Sequence, residues 1–349
     1  MTDSIVGVDI GSASIRAVEV GGLRKGRPIL LRYHELPLPE GSASRGEVLE
    51  PNTVAGLLKQ LWSRAGFGTK DVVLGMGNQR VLARDLTVPR MSQTRIRESL
   101  PFQVQEMLPV PVAEALLDFY PVSEGQSETG PVVNGLLVAA VKEAVLGNVK
   151  ALTLAGLNPV DVDLIPFAVC RAVVNRPAVS GTVALVEVGA ATTSVVIASD
   201  GVPQFVRIIP TGGGDTTAAL AAGLDIDASQ AETVKRSLGL ASAVSSEQEQ
   251  KAVEIIYHVV GELLGSIRNT INYFVNTRPG AVVDRIVVSG GGSQLIGLPE
   301  ALSEMTRMPV VPADPFTAIG LSRRLDASDL RVRRSALTVS LGLALGRAA

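Results

Sequence analysis

Residues 6–20 read VGVDIGSASIRAVEV, a pattern typical of two short strands joined by a turn of very small residues. The apolar first strand runs into an acid, Asp9, and the turn that follows is Gly11-Ser12-Ala13-Ser14. A strand pair needs only a tight turn such as Asn-Gly. Small residues at this place let a ligand come close to the backbone. The stretch therefore predicts a hairpin whose turn receives a ligand.

The same pattern recurs 178 residues later, where VDIGSASIRAVEV (8–20) aligns with VEVGAATTSVVIA (186–198). Asp9 then matches Glu187, and Gly11 matches Gly189. Strand–turn–strand pieces are common, so a chance match is the simpler alternative. A duplicated domain would instead place two such turns across a cleft, where backbone N–H groups grip one multiply charged anion from both sides. The two acids would then hold a hydrated magnesium ion, which takes few protein ligands.

Composition limits the class of protein. The 349 residues suffice for two domains, and 46% apolar with only 3% aromatic residues predicts aliphatic cores. A net charge of −2 argues against nucleic-acid binding. One cysteine, Cys170, and two distant histidines, His34 and His258, exclude a disulfide framework and a Cys- or His-based metal site. The absence of a basic leader and of an uncharged apolar run favours a soluble, cytosolic protein.

Alternating β-branched runs and Ala/Leu-rich helical patterns predict an α/β fold. Strands are predicted at 5–10, 15–20, 183–188, 193–198, 204–209 and 285–289. Helices are predicted at 53–65, 143–156, 214–223, 227–238, 247–275 and 297–306. The Gly- and Pro-rich joints at 36–51 and 124–131 are interpreted as surface loops. The segment 80–157 interrupts the pattern and predicts an inserted α+β unit.

Two glycine-rich loops each lie between a predicted strand and a predicted helix. In TGGGDTTAAL (211–220) the helix N-terminus favours a bound anion, and a plain cap by Asp215 is the equal alternative. In IVVSGGGSQLIGL (286–298) the alternative is tight strand–helix packing. The chain contains neither G-x-G-x-x-G nor G-x-x-x-x-G-K-[ST], which excludes dinucleotide-binding and P-loop sites.

The order of the two hairpins and the two glycine loops resembles the actin-like ATPase superfamily. Three further segments narrow the resemblance to the PilM family, cytosolic actin-like components of type IV pilus machines related to the division protein FtsA. These segments are RESLPFQVQEMLPVPVAEALLDFYPV (97–122), QAETVKRSLG (230–239) and MPVVPADPF (308–316). The resemblance implies an actin-like ATPase fold, with two duplicated ribonuclease H-like domains around a nucleotide cleft and an inserted FtsA-type subdomain.

The resemblance also implies a division of the chain. The first core domain would comprise 1–80, 158–180 and 330–349, and the inserted subdomain 81–157. The second core domain would comprise 181–329, including a helical subdomain at 231–280.

An ATP site with Mg²⁺ follows from the same resemblance. Gly11, Ser12, Ala13 and Ser14 would cradle the β- and γ-phosphates. Arg16 would reach a phosphate oxygen where a lysine is usual, and its alternative is a solvated strand residue. Asp9 and Glu187 would hold the metal. The other implied nucleotide ligands are Gly189, Ala190, Ala191 and Thr192 in the second turn, Gly213 and Gly214 near the phosphates, Glu232 and Lys235 at the ribose, and Gly290, Gly291 and Gly292 under the adenosine. An ordinary surface ion pair is the alternative for Glu232 and Lys235.

Two departures from the family pattern predict at most weak ATPase activity, with no catalytic residue assigned. Glu187 stands where aspartate is usual, and one extra methylene displaces a metal or a water. Ile165 stands where relatives carry a polar residue that orients the attacking water. Asp163 lies nearby, on the opposite face if its strand continues.

The resemblance implies a partner, the cytosolic N-terminal tail of PilN, an inner-membrane protein, received in the groove beside the inserted unit. The protein would then be cytoplasmic and peripheral to the inner membrane through that partner, and self-association is open. The C-terminal RVRRSALTVSLGLALGRAA (331–349) resembles a membrane anchor, but its interleaved polar residues favour a core helix closing onto the first domain. A small-molecule kinase, with Asp161 or Asp163 as base, is the alternative function. A redox enzyme has only the glycine loops in its favour.

Overall fold

The computed structural model describes residues 4–128, 130–174, 179–241 and 243–346. Its strands are β1 (Ser4–Ile10), β2 (Ser14–Gly21), β3 (Ile29–Pro37), β4 (Ala43–Ser44), β5 (Glu47–Val48), β6 (Asp71–Met76), β7 (Val81–Pro89), β8 (Ala115–Ser127), β9 (Gly130–Val141), β10 (Asn158–Leu164), β11 (Thr182–Val188), β12 (Thr193–Ser199), β13 (Val202–Ile209), β14 (Arg285–Ser289), β15 (Val310–Pro312) and β16 (Gly320–Leu321). Its α-helices are α1 (Pro51–Ala65), α2 (Gln93–Gln103), α3 (Lys142–Leu154), α4 (Ile165–Val173), α5 (Gly213–Leu224), α6 (Ala228–Leu238), α7 (Glu247–Thr277), α8 (Leu298–Thr306) and α9 (Ala327–Leu345).

Two sheets share one strand order. The first runs β10-β6-β1-β2-β3-β16 and the second runs β13-β12-β11-β14-β15. In each sheet three consecutive strands pair antiparallel and the next two join in parallel. The strands β1 and β11 therefore hold equivalent central positions, as the internal sequence repeat predicts. The edge strand β16 pairs with β3, so residues 320–321, assigned to the second domain from the sequence, lie in the first sheet.

The predicted strands and helices are confirmed with small shifts at their ends. The largest fully buried side chains are leucines and isoleucines, as the low aromatic content predicts. The two predicted surface loops lie largely at the surface, as expected, but both contain paired strands. Residues 36–51 include the end of β3 and the β4–β5 hairpin, and Ser42 and Val48 are buried. Residues 124–131 are mostly strand, because β8 runs to Ser127 and β9 begins at Gly130. Their Gly, Pro and Ser residues mark turns inside paired strands.

A third sheet, β7-β9-β8, follows β6 in the chain. Helix α2 packs on it and is capped by Ser92, whose hydroxyl accepts a hydrogen bond from the Arg95 N–H. A separate apolar cluster that includes Ile96, Leu100 and Phe119 joins α2 to this sheet. Helix α3 then packs against α1, and β10 returns the chain to the first sheet. The α+β character predicted for 80–157 is thus present.

The C-terminal segment forms α9, which packs on β1, β2 and α4. Leu341 and Leu343 are fully buried, and the approach is so close that a Cβ on Gly7 would overlap the Ser340 carbonyl oxygen. A Cβ on Gly342 would likewise overlap the backbone of Ala168 in α4. This confirms the expectation of a core helix. Across the described residues, no helix combines the length and apolar character needed to cross a bilayer.

Candidate functional site

The two hairpin turns have the same closure. In the first hairpin, pairing of β1 and β2 ends at Ile10 and Ile15, and the Gly11 N–H donates to the Ser14 carbonyl oxygen at 3.0 Å. In the second, the Gly189 N–H donates to the Thr192 carbonyl oxygen at 2.9 Å. Each turn follows a buried acid by two residues, so the sequence repeat is also a repeat of backbone geometry.

The acids of the two hairpins approach one another although they belong to different sheets. Asp9 is 6% exposed and Glu187 is 8% exposed. Burial raises the pKa of Glu187 to about 8; the charge of Asp9 adds to the rise and that of Arg16 opposes it. Burial also raises the pKa of Asp9, against the charge and hydrogen bond of Arg16. Both carboxyl groups therefore share the field of one guanidinium in the cleft between the sheets.

This donor set suits a magnesium ion that keeps most of its water. A divalent cation would displace the proton that the raised pKa keeps on Glu187, and its charge would stabilise both carboxylates in their ionised form. Among the described residues there is no group of three or more His, Cys, Asp or Glu side chains that could hold a metal. An ion at Asp9 and Glu187 would have water as its other ligands.

Arg16 is held by partners that the sequence did not identify. Its Nε donates to Glu35 Oε1 at 2.9 Å, and its Nη1 lies 3.6 Å from Asp9 Oδ2. Glu35 also accepts the Ser14 hydroxyl at 2.8 Å and Arg333 Nη1 at 3.3 Å. At 23% exposure the Arg16 side chain is not the solvated strand residue of the alternative interpretation. Glu35 lies directly opposite Arg16 on β3, a strand that the sequence analysis missed.

The first glycine loop is bonded to the second turn. The Gly213 N–H donates to the Gly189 carbonyl oxygen at 2.9 Å, and the Gly214 N–H donates to that of Ala190 at 2.7 Å. Asp215 Oδ2 accepts the Gly212 N–H at 2.7 Å, which confirms the capping interpretation of Asp215. The loop and the turn form one backbone-lined surface at the N-terminus of α5.

The three glycines of the second glycine loop have different surroundings. Gly290 has φ +84°, and a Cβ there would overlap the Val188 carbonyl oxygen. A Cβ on Gly292 would also press on Val188. Nothing lies within 4 Å of the Cβ position of Gly291. The packing alternative therefore accounts for Gly290 and Gly292, and Gly291 is the member that borders open space.

Glu232 and Lys235 are not an ordinary surface pair. Lys235 Nζ lies 2.6 Å from Glu232 Oε2 and donates to Thr217 Oγ1 at 2.8 Å and to the Gly213 carbonyl oxygen at 2.9 Å. Burial alone would raise the pKa of Glu232, but hydrogen bonds from Lys235, Thr217 and Arg236 outweigh it and lower that pKa. The pair ties α6 to the first glycine loop and stands beside the second turn.

The segment that leads from the first half of the chain into the second, β10 and α4, offers no candidate general base near the two turns. The Ile165 side chain would meet any Cβ placed on Gly75 or Gly77, so it packs on β6 and the turn after it. Asp163 accepts a hydrogen bond from Arg171 Nη1 at 2.8 Å. Asp161 is exposed and accepts its neighbour's N–H. This segment therefore supplies no unpaired, buried carboxylate.

Arg45 is a cleft residue that the sequence analysis missed, because 36–51 was interpreted as a loop. It is at the turn of the β4–β5 hairpin, and its Nη1 donates to the Pro210 carbonyl oxygen at 2.8 Å. The same atom lies 3.4 Å from the Ala191 carbonyl oxygen, and Nη2 lies 3.7 Å from Asp215 Oδ1. Arg45 thus reaches from the first half of the molecule to the second turn. The Arg-Gly pair between short polar and apolar residues was the only available signal.

Comparisons with known proteins agree with this geometry. The family model described as type IV pilus assembly protein PilM matches residues 7–348. The cell division protein FtsA of Bacillus subtilis (strain 168) is 22% identical over 89% of this chain and 78% of FtsA. A solved structure described as a PilM-PilN type IV pilus biogenesis complex has a TM-score of 0.85 at 29% identity, covering 99% of this chain and 98% of that one.

A more distant similarity shows the fold alone. MreB5 of Spiroplasma citri, solved bound to ADP, is 13% identical with a TM-score of 0.54, over 98% of this chain and 95% of that one. The predicted actin-like ATPase fold is confirmed by these matches and by the two equivalent sheets.

Proposed function

The chain belongs to the family described as type IV pilus assembly protein PilM, and on that premise we propose that it is an ATP-binding, actin-like component of a type IV pilus machine. One observation carries the nucleotide assignment. Two hairpin turns with the same closure each follow a buried acid, and both acids lie in the field of one guanidinium, that of Arg16. Such a clamp of backbone N–H groups and a positive charge suits a polyphosphate.

Each part of the site has a role in this proposal. Residues 11–14 and 189–192 bind the phosphates from opposite sides, with Gly213 and Gly214 beside the second turn. Asp9 and Glu187 hold Mg²⁺, which neutralises phosphate charge when bound. Glu232 and Lys235 bind the ribose, and the open space at Gly291 leaves room for the adenosine. The ADP-bound structure of MreB5 supports a nucleotide in this fold.

The partner we propose is the N-terminal tail of a PilN-type inner-membrane protein. The support is the 29% identity, over 99% of this chain, to the PilM-PilN complex structure. Membrane association would then be indirect, through that tail, in the groove beside the β7-β9-β8 sheet.

Hydrolysis is proposed to be weak. A water-orienting group would need a polar side chain at the start of α4, and Ile165 packs there on β6 and the turn after it. The kinase alternative is not favoured, since Asp163 is paired with Arg171 and Asp161 is exposed. The protein therefore functions by binding nucleotide and partner.

Titration with Mg-ATP tests the site. Asp9→Ala is expected to weaken Mg-ATP binding at least about tenfold, because a buried ligand of the metal is lost. Asp71→Ala is the matched control, since Asp71 is an aspartate at the other end of a neighbouring strand. Asp9→Asn keeps the side-chain shape should the alanine variant fold poorly. Equal affinity in wild type and Asp9→Asn would remove this carboxylate from the site.

Capture of a partner peptide tests the proposed role in pilus assembly. Binding of a PilN-type N-terminal peptide, without phosphate release that depends on an added sugar, is the expected result. Acceptor-dependent turnover without peptide capture would instead favour a kinase.

A further inference from the structure

We propose that Arg45 distinguishes a nucleoside triphosphate from a diphosphate in this cleft by binding the terminal phosphate. This rests on the proposed function, because it assigns a specificity to the same nucleotide site. Four features of the structure lead to it: a rigid base for Arg45, its reach, its exchangeable partners and its position along the second turn.

The fully buried side-chain amide of Asn148 holds the hairpin that carries Arg45 in place. Asn148 of α3 donates from Nδ2 to the Gly46 carbonyl oxygen at 2.8 Å, and its Oδ1 accepts the Val48 N–H at 2.8 Å. Arg45 has φ +50° and Gly46 has φ +79°, a pair of values that a two-residue hairpin turn requires. The backbone of Arg45 is therefore fixed relative to the first half.

The base of this hairpin lies beside the first phosphate turn. A Cβ on Gly46 would lie 4.0 Å from the Ile10 carbonyl oxygen, immediately before Gly11. From there the Arg45 side chain extends to the Ala191 carbonyl oxygen in the second turn. Arg45 thus borders both turns that the proposed function assigns to the phosphates.

The present partners of Arg45 are weaker than a phosphate would be. Two are neutral carbonyl oxygens, and the carboxylate of Asp215 is 3.7 Å away. The side chain is 38% exposed, so it can change partner without unpacking a core. A guanidinium binds a phosphate through two parallel charge-assisted hydrogen bonds, which are about twice as strong as neutral ones.

Arg45 and the proposed ribose pair approach the second turn at different residues. Gly189, at the start of the turn, bonds Gly213, and Gly213 accepts from Lys235 of the proposed ribose pair. Arg45 contacts Ala191, further along the same turn. A phosphate chain that starts at Lys235 would therefore reach Arg45 with its last phosphate. A diphosphate would leave Arg45 on its carbonyl partners.

The test compares Mg-ATP and Mg-ADP affinities of purified full-length wild type, Arg45→Ala and Arg80→Ala. Arg80 is the matched control, because it also contacts this hairpin, through Glu47 at 3.1 Å, but its other ion pair is with Glu143 of α3 at 4.0 Å. Arg45→Ala is expected to lose about tenfold in ATP affinity while ADP affinity stays within about twofold. Arg80→Ala is expected to bind both nucleotides as wild type does.

Thermal melting gives a second readout, since a ligand raises Tm by mass action. ATP should raise Tm of wild type more than ADP does, and the two shifts should become equal in Arg45→Ala. Should that variant fold poorly, Arg45→Lys is the substitute. Lysine keeps the charge but lacks the planar guanidinium that makes two parallel hydrogen bonds, so it should lose part of the preference for ATP over ADP.

The outcomes separate the two proposals. Wild type that binds neither nucleotide overturns the proposed function and this inference together. Wild type that binds ATP and ADP equally well overturns only the role of Arg45. If Arg45→Ala loses equal affinity for ATP and ADP, or loses affinity for neither, the role of Arg45 is likewise overturned.

Discussion

Replacing Glu187 by glutamine should change how the stability of this protein depends on pH. The folded-state pKa of Glu187 is about 8, against a reference of 4.5, because burial and the charge of Asp9 disfavour its ionised form. A raised pKa means that the folded state holds the proton more tightly than the unfolded state. The resulting stability is complete below pH 4.5 and is lost as the pH rises through 8.

The magnitude follows from the size of the shift. One pKa unit corresponds to roughly 1.4 kcal/mol, so the wild type loses about 4 kcal/mol relative to Glu187→Gln between pH 5 and pH 9. Glutamine keeps the shape and the neutrality of the protonated acid at every pH. The difference between the two unfolding free energies, variant minus wild type, should therefore increase up to about pH 8 and level off above it.

The assay is urea unfolding of both proteins, without nucleotide or Mg²⁺, at intervals of one pH unit. Glu304→Gln, an exposed glutamate on α8, serves as the control and should run parallel to wild type. Parallel curves for Glu187→Gln would refute the reasoning, because they would show that Glu187 titrates alike in both states. Adding Mg²⁺ should shrink the difference at high pH, since the ion would bind the ionised form.

Three further predictions concern packing and the cleft. Gly7→Ala should destabilise the fold by at least about 3 kcal/mol in urea unfolding, because its Cβ overlaps the α9 backbone, whereas the exposed helix position Gly56→Ala should not. Asn148→Ala should lower the unfolding free energy by about 1–3 kcal/mol, because the Val48 N–H loses its partner; an unchanged midpoint would contradict this. Lys235→Ala should weaken nucleotide binding without changing capture of the PilN-type peptide, as measured by titration and pull-down, and an equal loss of both would argue against separate sites.

The parts of the site that could be predicted are those encoded locally. Asp9 and Gly11 lie within one hairpin, and the repeat at Glu187 and Gly189 shows the same strand–turn spacing. Period-2 apolar patterns and small turn residues are visible in a sequence without any knowledge of the fold.

The residues that escaped prediction come from segments far apart in the chain. Glu35 lies on β3, whose residues do not alternate cleanly between apolar and polar. Arg333 joins it from α9, almost 300 residues later. Such a network is decided by tertiary packing, which a local pattern does not carry. The sequence also cannot distinguish Gly290, which packing requires, from Gly291, which borders open space. That distinction depends on the backbone angle φ and on the neighbouring atoms in the folded protein.

The position of α9 has a consequence for how the molecule is made. Its buried face covers β1, a strand that is synthesised long before α9, and the close approach at Gly7 leaves no room for a larger residue there. The first sheet must therefore wait for the synthesis of α9 before its apolar side is covered. Because β11–β15 and their helices lie between these two segments, the second half can fold during synthesis while the first cannot. A polypeptide released before α9 would leave the ribosome with half of its clamp unformed.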